Sequence, residues 1–341
     1  MSIEVRHLTH CYAEDSILRT VALDDVSFRI DDGEFVGIVG HTGCGKTTLV
    51  QHLIGLLRPT SGQVLIDGEV LDAAHVDRKA LCRKIGLVFQ YPEYQLFEET
   101  IAKDIAFGPK NQGLSEQEVD ERVRYAMDCV HLDYAAYADK SPFELSGGQM
   151  RRVAIAGVLA MKPRTLILDE PAAGLDPRGR DRILSIVQDL HAREKITVIM
   201  VSHSMDDMAR LATRLLVFSE GKLRADGTPR ELFMRQDMME SVGLGVPETA
   251  RLCHLLVEKG YDIPGDLFQP EELKEALLRL WRARQAAEGA KTAEGAKTAD
   301  APKGAENPNG AESAKTTDAL KDAEKPKAAG ARQAAREGAG C

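Results

Sequence analysis

The 341 residues predict an α/β fold on a mainly parallel sheet, followed by a small helical region and a low-complexity tail. Three observations carry that expectation. TLILDE (165–170) and TVIMVS (197–202) are short apolar runs of the kind buried on both faces in parallel sheets. Such runs alternate with helical patterns through residues 1–225, which implies helices covering a sheet. A glycine-rich turn, GHTGCGKT (40–47), sits where an apolar strand passes into a helix.

The elements follow in order. Val26, Phe28 and Ile30 alternate along one strand face, and Asp31-Asp32-Gly33 supplies a turn. FVGIVG (35–40) is an apolar strand ending in glycine, Lys46–Leu57 reads as a helix, and 58–62 as a loop. Past 225 the pattern becomes helical. Thr228-Pro229-Arg230-Glu231 has the form of a capping box with proline at the first helical position. Pro270 opens a helix with Leu273, Leu277, Leu280 and Trp281 on one stripe. These patterns divide the chain into 1–225, a helical subdomain at 226–284, and a tail at 285–341. In the tail EGAKTA occurs twice (288–293, 294–299), and apolar side chains larger than alanine almost vanish. Such a segment buries too little to offset its ordering entropy and is expected to be disordered.

The net charge of −9 argues against nucleic acid as a partner, since phosphate backbones select basic faces. The N-terminus lacks the apolar core of a signal peptide. No apolar run approaches the roughly 18 residues of a membrane span. Six cysteines (11, 44, 82, 129, 253, 341) form no C-x-x-C pair. The expectation is a soluble, cytosolic chain with reduced thiols.

Residues Gly40, His41, Thr42, Gly43, Cys44, Gly45, Lys46 and Thr47 fit G-x-x-x-x-G-K-[ST] in full. The glycines let backbone N–H groups wrap phosphates without Cβ clashes. Lys46 neutralises the β- and γ-phosphates, Thr47 offers a hydroxyl to Mg²⁺, and Thr48 extends the candidate ATP-binding set. Cys44 places a thiol beside Lys46 at a helix N-terminus, a setting that favours a thiolate. LILDE (166–170) puts Asp169 and Glu170 at a strand end, facing the crevice where α/β sheets bind ligands. Asp169 suits a Mg²⁺ shell, and Glu170 could polarise a water aimed at the γ-phosphate. His203 ends the next buried strand and can reach a γ-phosphate oxygen. Gln90 follows IGLVF and is a candidate for Mg²⁺ or the attacking water. Tyr12 could stack an adenine, with a core tyrosine as the competing reading. Finally, FELSGGQMRR (143–152) places Ser146, Gly147, Gly148 and Gln149 at a helix N-terminus, a second anion cradle.

Taken together, Tyr12, the phosphate loop, Gln90, LSGGQ (145–149), LILDE, AGLD (173–176, with Asp176) and His203 resemble an ATP-binding cassette (ABC) ATPase over about residues 1–225. The resemblance implies a P-loop NTPase domain with antiparallel β and helical subdomains. It also implies two domains paired head to tail, each signature helix closing on ATP held by the other's phosphate loop. A lone helix N-terminus gives an anion only about 0.3–1 kcal/mol, up to about 2 in favourable sites. It therefore serves as a second clamp. The stretches 40–62, 90–109 and 142–163 more narrowly resemble the ATPase subunits of energy-coupling factor (ECF) transporters, the EcfA/CbiO group, and among them the second, primed paralogue. That likeness runs to about 284. It implies ATP hydrolysis with Mg²⁺, a paralogue or a second copy as partner, and a place on the cytoplasmic face beneath a membrane T component. A separate S component would capture a vitamin or transition-metal ion. Cys44 and Thr47 stand where the group usually has serine, and Ala172 where it usually has threonine. DNA-repair ABC ATPases need a long insertion between phosphate loop and signature. Translation-factor ABC proteins need two cassettes, and Glu170 with His203 argues against a non-hydrolysing module. An ATPase of another ABC transporter class is the alternative.

Overall fold

The computed structural model describes residues 1–13, 19–75 and 77–297. The antiparallel pair β1 (Ile3–Tyr12) and β2 (Thr20–Ile30) opens it, with Val26, Phe28 and Ile30 buried as their alternation requires. β3 (Phe35–Gly40) is buried along its whole length. The helix that follows, α1 (Lys46–Leu53), stops at Leu53 and not at the expected Leu57. Gly55 at φ 63° turns the chain, and the N–H groups of Leu56 and Leu57 donate back to Gln51 O. β4 (Ser61–Ile66) and β5 (Glu69–Val70) complete an antiparallel sheet in the order β2-β1-β4-β5.

After α2 (Arg78–Lys84) and β6 (Ile85–Val88) comes a helical stretch: α3 (Ile101–Asn111), α4 (Glu116–Cys129), the short α5 (Tyr134–Tyr137) and α6 (Gly147–Leu159). The chain then alternates through β7 (Thr165–Asp169), α7 (Pro177–Glu194), β8 (Thr197–Val201), α8 (Met205–Leu211), β9 (Arg214–Ser219) and β10 (Lys222–Gly227). The second sheet has the order β10-β9-β3-β8-β7-β6 and is parallel except for the β9–β10 hairpin. The two apolar runs of the sequence are its strands β7 and β8.

Successive residues of these strands serve two different cores. Val36, Ile38, Ile167, Ile199 and Leu216 pack with the antiparallel sheet and α1. Their neighbours Phe35, Val39, Leu166, Leu168, Val198 and Met200 pack against the helices. A sheet covered on both faces needs apolar side chains at every position, which is why these strands read as unbroken runs. Leu168 pairs with Val88 and Met200, and Val201 with Asp169 and Ile38. The carboxyl ends of β3, β6, β7 and β8 therefore share one edge, the edge where open α/β sheets hold ligands.

The helical region comprises α9 (Pro229–Phe233), α10 (Gln236–Ser241), α11 (Glu248–Glu258) and α12 (Pro270–Lys297). The capping box forms as expected: Thr228 N–H donates to Glu231 Oε2 at 2.9 Å, and Glu231 N–H to Thr228 Oγ1 at 3.3 Å. Leu232, Phe233, Met239 and Phe268 join the main helical core, while Cys253, Ile263, Leu267 and Leu273 form a small cluster of their own. Leu277 and Leu280 pack on that cluster, but Trp281 is 56% exposed and does not belong to the buried stripe. The chain divides into one compact unit, Met1–Ala286, and a second, Ala287–Cys341. α12 continues past residue 284, since alanine, glutamate and lysine favour helix. The rest of the expected tail, 298–341, lies outside the described residues.

Candidate functional site

The phosphate loop joins β3 to α1 and needs bare backbone. A Cβ on Gly40 would lie 2.4 Å from Phe218 O, and one on Gly45, which has φ 103°, would lie 2.3 Å from Ala22 O. Lys46 is buried and folds over the loop, donating to Gly40 O at 2.7 Å and His41 O at 2.9 Å. Cys44 is fully buried in the core with Leu49, Val50 and Phe218, and its Sγ lies 3.7 Å from Lys46 Nζ, so the thiol expected beside Lys46 is there but enclosed. The turn closed by Cys44 N–H to His41 O sends the side chain inward. Tyr12 keeps an exposed ring face, and its hydroxyl lies 3.2 Å from Thr48 Oγ1, which fixes it over α1.

Glu170 follows the last residue of β7 with φ 50°. Its N–H donates to Val201 O at 3.0 Å, and Ala173 N–H closes the turn onto Glu170 O at 3.1 Å. One carboxylate oxygen, Oε1, is buried without a hydrogen bond and lies 3.4 Å from His203 Nε2. Burial pushes the Glu170 carboxyl up to about 7, with the charge of Asp169 adding and that of Lys46 opposing. Burial raises Asp169 too, again against Lys46. Burial and then Lys46 lower His203, so its imidazole is neutral and its contact with Glu170 is not an ion pair. Asp169 and Val201 pair at the ends of β7 and β8, and Val201 pairs with Ile38 of the strand that leads into the phosphate loop, so Asp169, Glu170 and His203 lie at the edge that carries Lys46, whose charge acts on all three. A cavity of about 300 Å³ opens beside it, lined by Glu170, Ala172, Arg180, His203 and Asp207.

Other candidates stand apart. Gln90 is exposed, two residues past β6 at the same sheet edge. At the start of α6, Ser146 N–H and Oγ donate to Gln149 Oε1 at 3.1 and 2.9 Å, and Gln149 Nε2 donates to Tyr137 OH at 3.3 Å. No hydrogen bond among the described residues joins Ser146–Gln149 to the phosphate loop. A Cβ on Gly147 would meet nothing within 4 Å, so packing inside this chain does not call for a glycine there. Asp176 caps α7, accepting from Gly179 N–H at 2.9 Å.

Sequence reasoning missed two arginines. Arg180 donates to Asp207 Oδ1 at 2.7 Å and to Ser204 Oγ at 2.5 Å, tying α7 to the start of α8 just after His203. Arg151 pairs with Glu93 through two hydrogen bonds. No spacing rule relates residues so far apart in the chain.

Residues 23–173 match the ABC transporter family. The energy-coupling factor transporter ATP-binding protein EcfA2 of Clostridium tetani is 54% identical over 281 residues, which is 82% of this chain and 98% of that protein. The chain belongs to the ECF transporter ATP-binding proteins. EcfA2 of Clostridioides difficile is 53% identical over 285 residues, 83% of this chain and 99% of that protein. Among solved structures, cbiO1 from Clostridium perfringens, part of the ABC transporter complex cbiONQ, matches with a TM-score of 0.64 at 36% identity, over 75% of this chain and 98% of that one. The dimeric ATP-binding cassette MJ0796, in a post-hydrolysis state bound to ADP and Pi, matches with a TM-score of 0.58 at 28% identity, over 67% and 98%. As an ECF family ATPase, the chain hydrolyses ATP coupled to transport. Among the described residues no helix is long and apolar enough to cross a membrane.

Proposed function

We propose that this chain powers an ECF-type importer from the cytoplasmic face of the membrane, as one of two ATPases paired head to tail, with Glu170 as the base that activates water. The observation that carries the reading is the Glu170 carboxylate: partly buried, with Oε1 buried and unpartnered, 3.4 Å from His203 Nε2, and pushed up to about 7. A base poised near the working pH combines availability with driving force. His203 holds a γ-phosphate oxygen, Lys46 and the loop N–H groups of residues 40–48 hold the phosphates, and Tyr12 offers its exposed face to adenine. Magnesium bound with ATP would neutralise phosphate charge, and Thr47, Gln90 and Asp169 would hold it. The fit rests on Asp169, a partly buried carboxylate at the end of β7 whose ionised form gains from a nearby cation.

The exposed signature backbone suits ATP held by a partner. Gly147 is open on its own chain's side, and Ser146 and Gln149 currently satisfy each other. Asp176 stands at the start of α7, next to the turn that carries Glu170, where the partner cassette would meet it. The partner is a paralogue or a second copy. A membrane T component docks on this chain, and an S component captures a vitamin or transition-metal ion. Replacing Glu170 by glutamine keeps shape and removes basicity. In the purified complex, turnover should fall by roughly 10²–10⁴ while ATP still binds. Near-normal turnover would refute the assignment.

A further inference from the structure

Arg151 lies in the second turn of the signature helix α6 and is 1% exposed, yet its guanidinium makes four hydrogen bonds to two other segments. Nε and Nη2 grip Glu93 Oε2 and Oε1 at 3.0 and 2.8 Å, and Nη1 donates to Ala173 O at 2.6 Å and Pro171 O at 3.2 Å. Glu93 sits three residues past Gln90, and Pro171 and Ala173 form the turn that begins at Glu170. A charge buried this deeply is tolerated only when it is paired and hydrogen-bonded. Only a planar fork serves a carboxylate and two carbonyls at once, which a lysine cannot do.

The two gripped loops share a second feature. Each carries a non-glycine residue in left-handed backbone just before its contact with Arg151: Tyr91 at φ 57° and Glu170 at φ 50°. Such conformations persist where surrounding structure enforces them, and they cluster at working sites. The Tyr91 ring also closes on the Glu170 side, 3.5 Å from where a Cβ on Gly174 would stand.

We propose that Arg151 is a positioning residue that locks the Glu170 turn, the loop after Gln90 and the signature helix into one geometry, so that movement of the helix or of the loop moves the hydrolytic carboxylate. The inference rests on the reading of Glu170 as base. A buried ion pair that merely stabilised the fold would have a different signature. It would lower the amount of active protein equally at every pH.

The test uses Arg151→Lys and Glu93→Gln in the full chain, purified in the complex it forms in its own cells, with kcat and KM for ATP measured from about pH 5.5 to 9 beside thermal unfolding. In Arg151→Lys, kcat should fall by about tenfold or more with KM within about threefold, the pattern of a lost transition-state geometry. Glu93→Gln leaves both carbonyl contacts in place and should lower kcat in the same way by less. A loss that tracks unfolding, with kcat per folded complex unchanged, would overturn the proposal. So would a Glu93→Gln complex indistinguishable from wild type, since the loop after Gln90 would then have no link to Glu170. If Arg151→Lys fails to fold, Glu93→Gln decides on the same criteria. Near-normal turnover in Glu170→Gln would overturn the base assignment itself, and the positioning role with it.

Discussion

At the scale of single residues, the chemistry turns on burial. The ordinary carboxyl value of 4.5 rises to about 7 at Glu170 because the ionised form loses water and gains no hydrogen bond at Oε1. The sign of the effect can be followed in two ways. Hydrolysis needs the ionised base, so turnover should climb as pH rises through about 7 and level off above it. Stability runs the other way. The folded state holds the proton more tightly than the unfolded chain, so this group favours folding below about 4.5 and loses that contribution as pH rises to about 7. Glu170→Gln should therefore unfold at a higher temperature than wild type at about pH 8, with the gap closing below about pH 5. Calorimetry at both pH values checks this, and equal melting at high pH would count against a buried, unpaired carboxylate. The cysteines give a second test. Cys44 is fully buried and Cys82 exposed. In the folded chain a maleimide should label Cys82 at least about tenfold faster than Cys44, because reaction needs an accessible thiolate. Peptide mapping after brief labelling measures it, and comparable labelling of Cys44 would mean that the phosphate loop opens readily.

At the scale of elements, sequence pattern and structure agree where one rule governs. β7 and β8 were readable because a doubly covered sheet demands unbroken apolar runs, and the phosphate loop because its glycines meet Phe218 O and Ala22 O. The segment after Gln90 is legible only in part. YPEYQLFEET (91–100) mixes aromatics with acids, yet Leu96 is buried and Glu93 turns inward to Arg151. Periodicity cannot sort the faces of an irregular loop, whose inward and outward positions are set by partners distant in sequence. What remains outside is specific. Tyr94 is 83% and Phe97 58% exposed, Phe97 meets Phe107 edge-on at 5.0 Å, and Glu99 is paired with the exposed Lys103. Exposed aromatics grouped beside acids suit a protein interface. Replacing Glu98 and Glu99 by alanine should reduce uptake, or assembly with the membrane subunit, far more than ATP binding. Uptake and nucleotide titrations on the same variant decide, and unchanged uptake with normal assembly would place the coupling surface elsewhere.

At the scale of the whole molecule, the dominant feature is the lack of any hydrogen bond, among the described residues, between the phosphate loop and the signature proposed as a second cradle. The loop at 40–47 is complete in itself, gathered with Asp169, Glu170 and His203 by strand register. The signature at 145–149 has no bonded connection to that loop among the described residues. Its motif was plain in the sequence, but its independence from the loop was not, because that depends on how α6 packs. The helical region was readable as helices, and its attachment was not: Phe233, Met239 and Phe268 join the main core through contacts that no local pattern announces. Replacing Gly147 by aspartate tests the separation most directly. Within this chain the new side chain starts in open space, at a helix N-terminus that favours an acid by about 0.3–1 kcal/mol. Stability should hold or rise. Against ATP held by a partner, the same carboxylate faces phosphate, and like charges repel. The measurement is ATP turnover per folded complex for Gly147→Asp, with nucleotide binding followed on the same sample. We expect turnover to drop at least about tenfold while ATP still binds the chain's own loop. Wild-type turnover, or loss of ATP binding by the isolated chain, would contradict a signature that acts on a partner's nucleotide.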